Sequence, residues 1–257
     1  MSGDIPRELW LAARLRLRPL PFFLAGIAST AMWLVVVLLA VAWYGGNMAY
    51  TVRFLFWGTV VFLVFSEQTW GAAAFSDLAR NGVMDYVAAS PTRLRSYLLA
   101  ASLASSLAAT PGVFILLGIY YLLQGELPPL AQPAYFVAGL TIFLTAAALI
   151  TSLFTLVFIR LRNPSLAANA VQWAIPLSGG MIPPTAMQPE AAKAFLFSPF
   201  QYVIAPVVYS ATGSWLVDPP LALAAGAAVV AVLYVLSVRV AESAVEGYKT
   251  AGRWGVE

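Results

Sequence analysis

Few residues of this chain are equipped for chemistry, and the shortage narrows what it can do. Among its 257 residues there is no Cys and no His. That removes thiol nucleophiles, disulfides, histidine general bases and nearly every transition-metal site. Carboxylates number 11, and Glu67 alone falls within an apolar stretch long enough to cross a bilayer. One buried acid cannot supply the paired acid and base of an intramembrane hydrolase, or the cluster of a di-metal site. No G-x-x-x-x-G-K-[ST] loop occurs, so any ATP chemistry must come from another polypeptide. What remains is polar chemistry on helix faces. At 3.6 residues per turn Glu67, Trp70 and Ala74 share one face, and Asn169, Gln172, Trp173 and Pro176 share another. Charged and amide groups in hydrocarbon turn toward a protein interior or a wet cavity, which makes Glu67, Trp70, Asn169, Gln172 and Trp173 candidates for a substrate path. The same amides also suit interhelical hydrogen bonds, and Glu67 lies close enough to an interface to stay hydrated. Ser102, Ser106, Ala101, Ser105 and Ala109, at four-residue spacing, read as close helix packing, and Pro111-Gly112 should bend their helix.

The elements that must position these residues follow from composition. The chain is 61% apolar and 10% charged, against roughly 45–50% and 25% in soluble domains, and its mean hydropathy is +0.83. A spanning helix needs about 20 mostly apolar residues, because only intrahelical hydrogen bonds satisfy the backbone in hydrocarbon. Six stretches qualify, at 22–43, 54–76, 97–123, 134–159, 165–182 and 221–238. A seventh run, 194–217, is broken by Pro199, Pro206 and Gly213 and reads as a re-entrant or interfacial hairpin. With six spans, twelve of the 14 basic residues fall on one side, leaving only Arg53 and Lys193 on the other. Positive-inside bias then makes both termini cytoplasmic. The charge, +3 overall, is too small and scattered for a nucleic-acid binder. Residues 5–18 can be drawn as an interfacial helix, with Arg7, Arg14 and Arg18 on one stripe beside Trp10, Leu11 and Leu17, within a flank covering 1–21. A plain positive-inside flank accounts for the same arginines. The first apolar run lacks a small-residue cleavage pattern and should remain as an anchor. Trp10, Trp43, Tyr44, Tyr97, Tyr120, Tyr121, Trp215 and Tyr248 lie near predicted span ends, where interfacial anchoring explains them.

The loop at 76–96 is the most charged internal segment. Two helical pieces are suggested, one before Gly82 and one from Val83 to about Ser90, where Pro91 disfavours continuation. Met84, Val87 and Ala88 would share a buried side, leaving Asp77, Arg80 and Asp85 for a partner. A short helix pinned between two spans is a lever, since force on its exposed face must move both attached helices. The alternative is a solvated loop.

The order acidic residue, basic residue, Gly82, Asp85, then Ser90-Pro91 and Arg93 resembles the segment of ABC-type-2 exporter permeases written E-R-E-x-G-T-L-E, a short spacer and [ST]-P. After the fifth span, Gly179-Gly180-Met-Ile-Pro-Pro-Thr-Ala-Met-Gln-Pro189 and Ser198-Pro199-Phe-Gln-Tyr202 resemble that family's small-residue turn, external helix and proline-aromatic return. Asp77 and Asp85 stand where Glu is commoner, and Val83 replaces the usual Thr. The resemblance implies an all-α integral membrane protein. Its parts would be six transmembrane helices with cytoplasmic termini in the plasma membrane, an N-terminal interfacial helix, a cytoplasmic coupling helix and an external cap at 183–218. It further implies two copies, or this chain with a relative, joined to two cytosolic ATP-binding subunits that carry ATP and Mg, with no cofactor in this chain. Asp77, Arg80, Gly82, Asp85, Tyr86 and Pro91 would couple to the ATPase, while the second and fifth spans border the path. A lipid, a glycan-linked lipid or a hydrophobic drug suits so apolar a permease. The competing class is an ATP-independent carrier or membrane scaffold built around Glu67.

Overall fold

The computed structural model describes residues 48–82, 85 and 94–251. The expected interfacial helix at 1–21, the first span at 22–43, and Tyr86 and Pro91 of the loop lie outside the described residues. Among the described residues the fold is helical throughout, with no strand.

The first helix, α1 (Met48–Arg80), has 33 residues. Val61, Phe62, Leu63, Val64 and Phe65 are buried in succession. Five consecutive buried positions pass more than once around a 3.6-residue turn, so α1 is enclosed by neighbours rather than presenting one apolar stripe. Those neighbours are α2 (Leu94–Ala108), α3 (Thr110–Gln124), α4 (Pro133–Phe158), α5 (Pro164–Ser178) and α7 (Gln201–Thr212). α2 and α3 form one apolar rod of 31 residues with a break at Ala109. There Pro111 has no N–H to give, and the Ala109 amide bonds Ser106 O at 3.1 Å instead of continuing the α pattern. The interruption falls beside Pro111-Gly112, where a bend is expected.

Three helices among the described residues are long and apolar enough to cross a membrane: Leu94–Gln124, Pro133–Phe158 and Pro219–Gly247. The last belongs to α8 (Pro219–Ala251). α8 leaves Leu221, Val232, Tyr234, Val235, Leu236 and Val240 exposed, a face suited to lipid.

At one end Phe75, Ala79, Leu94, Leu98, Leu156, Ile159 and Ala241 form an apolar cluster, which brings together the end of α1, the start of α2, the end of α4 and the tail of α8. At the opposite end Trp57 Nε1 donates to Pro129 O at 2.9 Å, and Arg53 pairs with Glu126 at 3.2 Å. Arg95, Arg160, Arg162 and Arg239 lie toward the first end. Arg95 stacks 4.2 Å from the centroid of the Tyr234 ring.

α5 is shorter than the 165–182 stretch predicts. It stops at Ser178 because Gly180 turns left-handed at φ 82. Met181 N then bonds Pro176 O at 3.0 Å and Gly180 N bonds Leu177 O at 3.3 Å, the paired closure of a Schellman motif. The glycine ends the helix before Pro183-Pro184 can.

The 194–217 run is broken at Ser198-Pro199 and closed at Gly213, but Pro206 does not break it: that proline lies inside α7 (Gln201–Thr212). A 3₁₀ turn at Pro184–Ala186, the six-residue α6 (Pro189–Ala194), a second 3₁₀ turn at Phe195–Phe197 and then α7 follow in order. Pro189 occupies the first turn of α6, where a missing N–H costs nothing. α7 is buried along nearly its whole length, from Gln201 to Ala211, wedged between α4 and α8. Two glycines admit it. A Cβ on Gly226 of α8 would collide with the Tyr202 carbonyl, and one on Gly139 of α4 would come within 3.0 Å of the Pro206 backbone. Gly58 of α1 makes room in the same way for the Met181 carbonyl beyond α5.

Candidate functional site

The longest polar run of α1 is Ser66-Glu67-Gln68-Thr69, followed by Trp70, with apolar residues at 60–65 before it and 71–75 after it. Because α1 is enclosed, these side chains point to different neighbours and build two hydrogen-bonded networks.

The first ties α1 to α5. Gln172 Oε1 accepts from Ser66 Oγ at 2.7 Å and from Trp70 Nε1 at 2.8 Å. An indole N–H can only donate, so the Trp70 bond identifies the Gln172 atom facing α1 as its carbonyl oxygen, and the Ser66 hydroxyl then donates to it. The amide nitrogen must then face the other way, where it donates to Asn169 Oδ1 at 2.6 Å. Gln172 is buried at 7% relative exposure and Trp70 stands at 40%. The network therefore runs from the packed interior to the surface, ending on the exposed Asn169.

The second network ties α1 to α2 and α4. Gln68, fully buried, donates from Nε2 to Ser106 Oγ. Its Oε1 accepts from Thr151 Oγ1 at 3.3 Å. Thr151 Oγ1 also lies 3.0 Å from Ser102 Oγ and 2.8 Å from the Ala147 carbonyl. Ser102 and Ser106 thus do more than permit close approach, because each supplies a partner to a buried side chain.

Of the expected path residues, the fold brings Trp70, Asn169 and Gln172 into one connected seam. Glu67 lies one turn before Trp70 on the same side of α1 and is partly exposed. Trp173 does not join them. Its ring packs on Phe62 at 4.3 Å between centroids and belongs to the main apolar core. Ser66, Gln68 and Thr151 were not singled out by helical-face spacing. Their signal is the unbroken polar run 66–69, which no single face of a helix can accommodate.

Toward the cluster of Phe75, Leu94 and Leu98, α1 carries Asp77 and Arg80 on its final turns without a break at Ser76, where a separate helical piece is expected. Gly82 is left-handed at φ 83 and ends the rod. Asp85 is exposed, with its amide bonded to Gly82 O at 3.1 Å. No metal-binding group of His, Cys, Asp and Glu side chains occurs among the described residues. Comparison of the chain with protein-family models, with curated proteins and with solved structures finds no match.

Proposed function

We propose that this chain is the membrane-spanning subunit of an ABC exporter, moving a lipid-like, glycan-linked or hydrophobic small molecule out of the cytoplasm with ATP hydrolysed by separate subunits. In this reading it spans the plasma membrane six times with both termini inside. It pairs with a second copy or a close relative, and two cytosolic ATP-binding subunits hold the loop at 76–96. The basic end of the bundle, with Arg95, Arg160, Arg162 and Arg239, faces the cytoplasm by the positive-inside rule. The hairpin of α6 and α7 then caps the outer end.

One observation carries the reading: α1 is a single rod from Met48 to Arg80. The seam at Trp70 and the turn at Gly82 are joined by about ten residues of helix, roughly 15 Å. A displacement imposed on the loop therefore reaches the α1–α5 seam without a hinge between them. The absence of a nucleotide loop, and of paired catalytic groups, from the sequence supports an energy source in another subunit.

The chain purified with its cognate ATPase is expected to form a complex of two permeases and two ATPases. Asp85→Arg should abolish that docking while leaving membrane insertion intact. A monodisperse particle indifferent to the ATPase would refute the proposal. Proton-driven transport in nucleotide-free vesicles, lost in Glu67→Gln, would replace it with a secondary carrier.

A further inference from the structure

We infer that the outer edge of the α1–α5 seam is a binding site for the neutral, hydroxyl-bearing head of an amphiphile, a glycoside with an alkyl tail. The inference rests on the export reading for its purpose, but its chemistry is set by the seam alone. The Gln172 carbonyl is occupied by Ser66 and Trp70, and its nitrogen by Asn169 Oδ1. Asn169 consequently turns its NH₂ away from the network, toward the surface. Among the described residues that NH₂ has no hydrogen-bond partner within the chain. Trp70 is in a related position. Its N–H is committed to Gln172, yet the residue is 40% exposed, so what it offers a ligand is ring surface.

A fixed pair of donors beside an open indole suits a ligand with oxygen acceptors on one edge and C–H groups on a flat face. A sugar ring has that arrangement. A phosphate-bearing head would accept from Asn169 as well, but among the described residues no Lys or Arg belongs to either network to pair with its charge. Around this polar spot the surface is apolar. Leu166 is 72% exposed, Leu177 40% and Leu78 49%, which leaves α5 and the end of α1 able to border an alkyl chain in the membrane. Asn169 is five residues from the start of α5 at the basic end, about 8 Å of helix rise. That depth suits a head entering from the leaflet on the basic side.

The test uses the whole chain in phosphatidylcholine nanodiscs, with a photoreactive octyl glucoside and a photoreactive octyl phosphocholine as probes and peptide mapping of the labelled sites. The glucoside should label peptides containing Trp70 and Asn169, and excess octyl glucoside should compete it away while octyl phosphocholine does not. Asn169→Asp keeps the acceptor for Gln172 Nε2 and removes the outward donors, so labelling should fall about fivefold, the worth of one lost hydrogen bond. Trp70→Ala should abolish it. Equal labelling by both probes, or labelling spread over the exposed face of α8, would overturn the inference. So would an unlabelled seam in which Ala174→Cys forms an intermolecular disulfide, because a second copy would then cover it. Glucoside binding without ATPase docking would sink the export reading and leave the site standing. Docking without glucoside binding would do the reverse.

Discussion

Replacing Gln172 by Leu removes three hydrogen bonds at once, to Ser66, Trp70 and Asn169. The cost depends on what the abandoned partners can do next. Ser66 Oγ can turn to a carbonyl one turn back along α1, as Thr69 Oγ1 already does to Phe65 O at 2.9 Å. Asn169 is exposed and keeps access to the membrane interface. The Trp70 indole N–H has neither recourse, and it is left without a partner in an apolar surrounding. Interhelical hydrogen bonds in membranes average about 0.6 kcal/mol, reaching about 1.7. Three average bonds therefore place Gln172→Leu about 2 kcal/mol below the wild type, with the Trp70 bond as the largest share. Gln68→Leu should cost less, about 1 kcal/mol, because Thr151 retains Ala147 O and Ser102 as partners. Steric trapping or reversible unfolding in mixed micelles measures both. A Gln172→Leu loss under about 0.5 kcal/mol, or a Gln68→Leu loss exceeding it, would refute the partner-by-partner reasoning. A second variant separates geometry from stability. Gln172→Glu keeps two acceptor oxygens for Ser66 and Trp70 but forces Asn169 to flip and donate inward. It should remain folded while glucoside labelling is lost.

Gly226→Ala should destabilise the chain by about 2–3 kcal/mol, since the added Cβ meets the Tyr202 backbone carbonyl, which cannot rotate aside as a side chain would. Gly58→Ala, which meets the Met181 carbonyl, should behave alike, and unfolding midpoints compared with Gly118→Ala, where no atom lies within 4 Å, provide the control. Arg53→Ala should change stability by less than about 1 kcal/mol, because the Arg53–Glu126 pair is exposed at 54% on both sides. Thermal unfolding at low and high salt should show the same small difference in each.

The three long apolar helices, Leu94–Gln124, Pro133–Phe158 and Pro219–Gly247, were the most legible part of the sequence, because their signal is a sum over many residues. The 134–159 stretch and α4 at Pro133–Phe158 differ by one residue at each end. Ends set by single residues were harder to place. Hydropathy continues through Gly179-Gly180-Met181-Ile182, but a left-handed glycine stops α5 at Ser178. At the other extreme, hydropathy falls after Ser76 while the helix persists to Arg80. Pro199 and Gly213 bound α7 as breakers should, but Pro206 is carried inside the helix, and nothing in their spacing showed that α7 would be buried along nearly its whole length. That depends on Gly139 and Gly226, which lie on other helices and give no local sign of their role. Trp173 shows why a shared face is weaker than contact. It follows Gln172 directly, yet Phe62 draws its ring into the core.

The two networks meet on α1 but differ in what would break them. Gln68, Thr151 and Ser102 are all buried at 5% relative exposure or less, so separating α1 from α2 and α4 would leave their bonding groups without water to replace the partners lost. The Gln172 network ends at an exposed edge, where Asn169 can exchange a protein partner for solvent or a ligand. A force arriving through the base of α1 should then carry α1, α2 and α4 as one body and part the seam with α5. Because the chain has no native Cys, spin labels can be placed in pairs without background. Distances between α1 and α5 should change when a docked ATPase is trapped with nucleotide, while those between α1 and α4 stay fixed. The opposite pattern would mean that burial of the Gln68 network does not decide which interface yields.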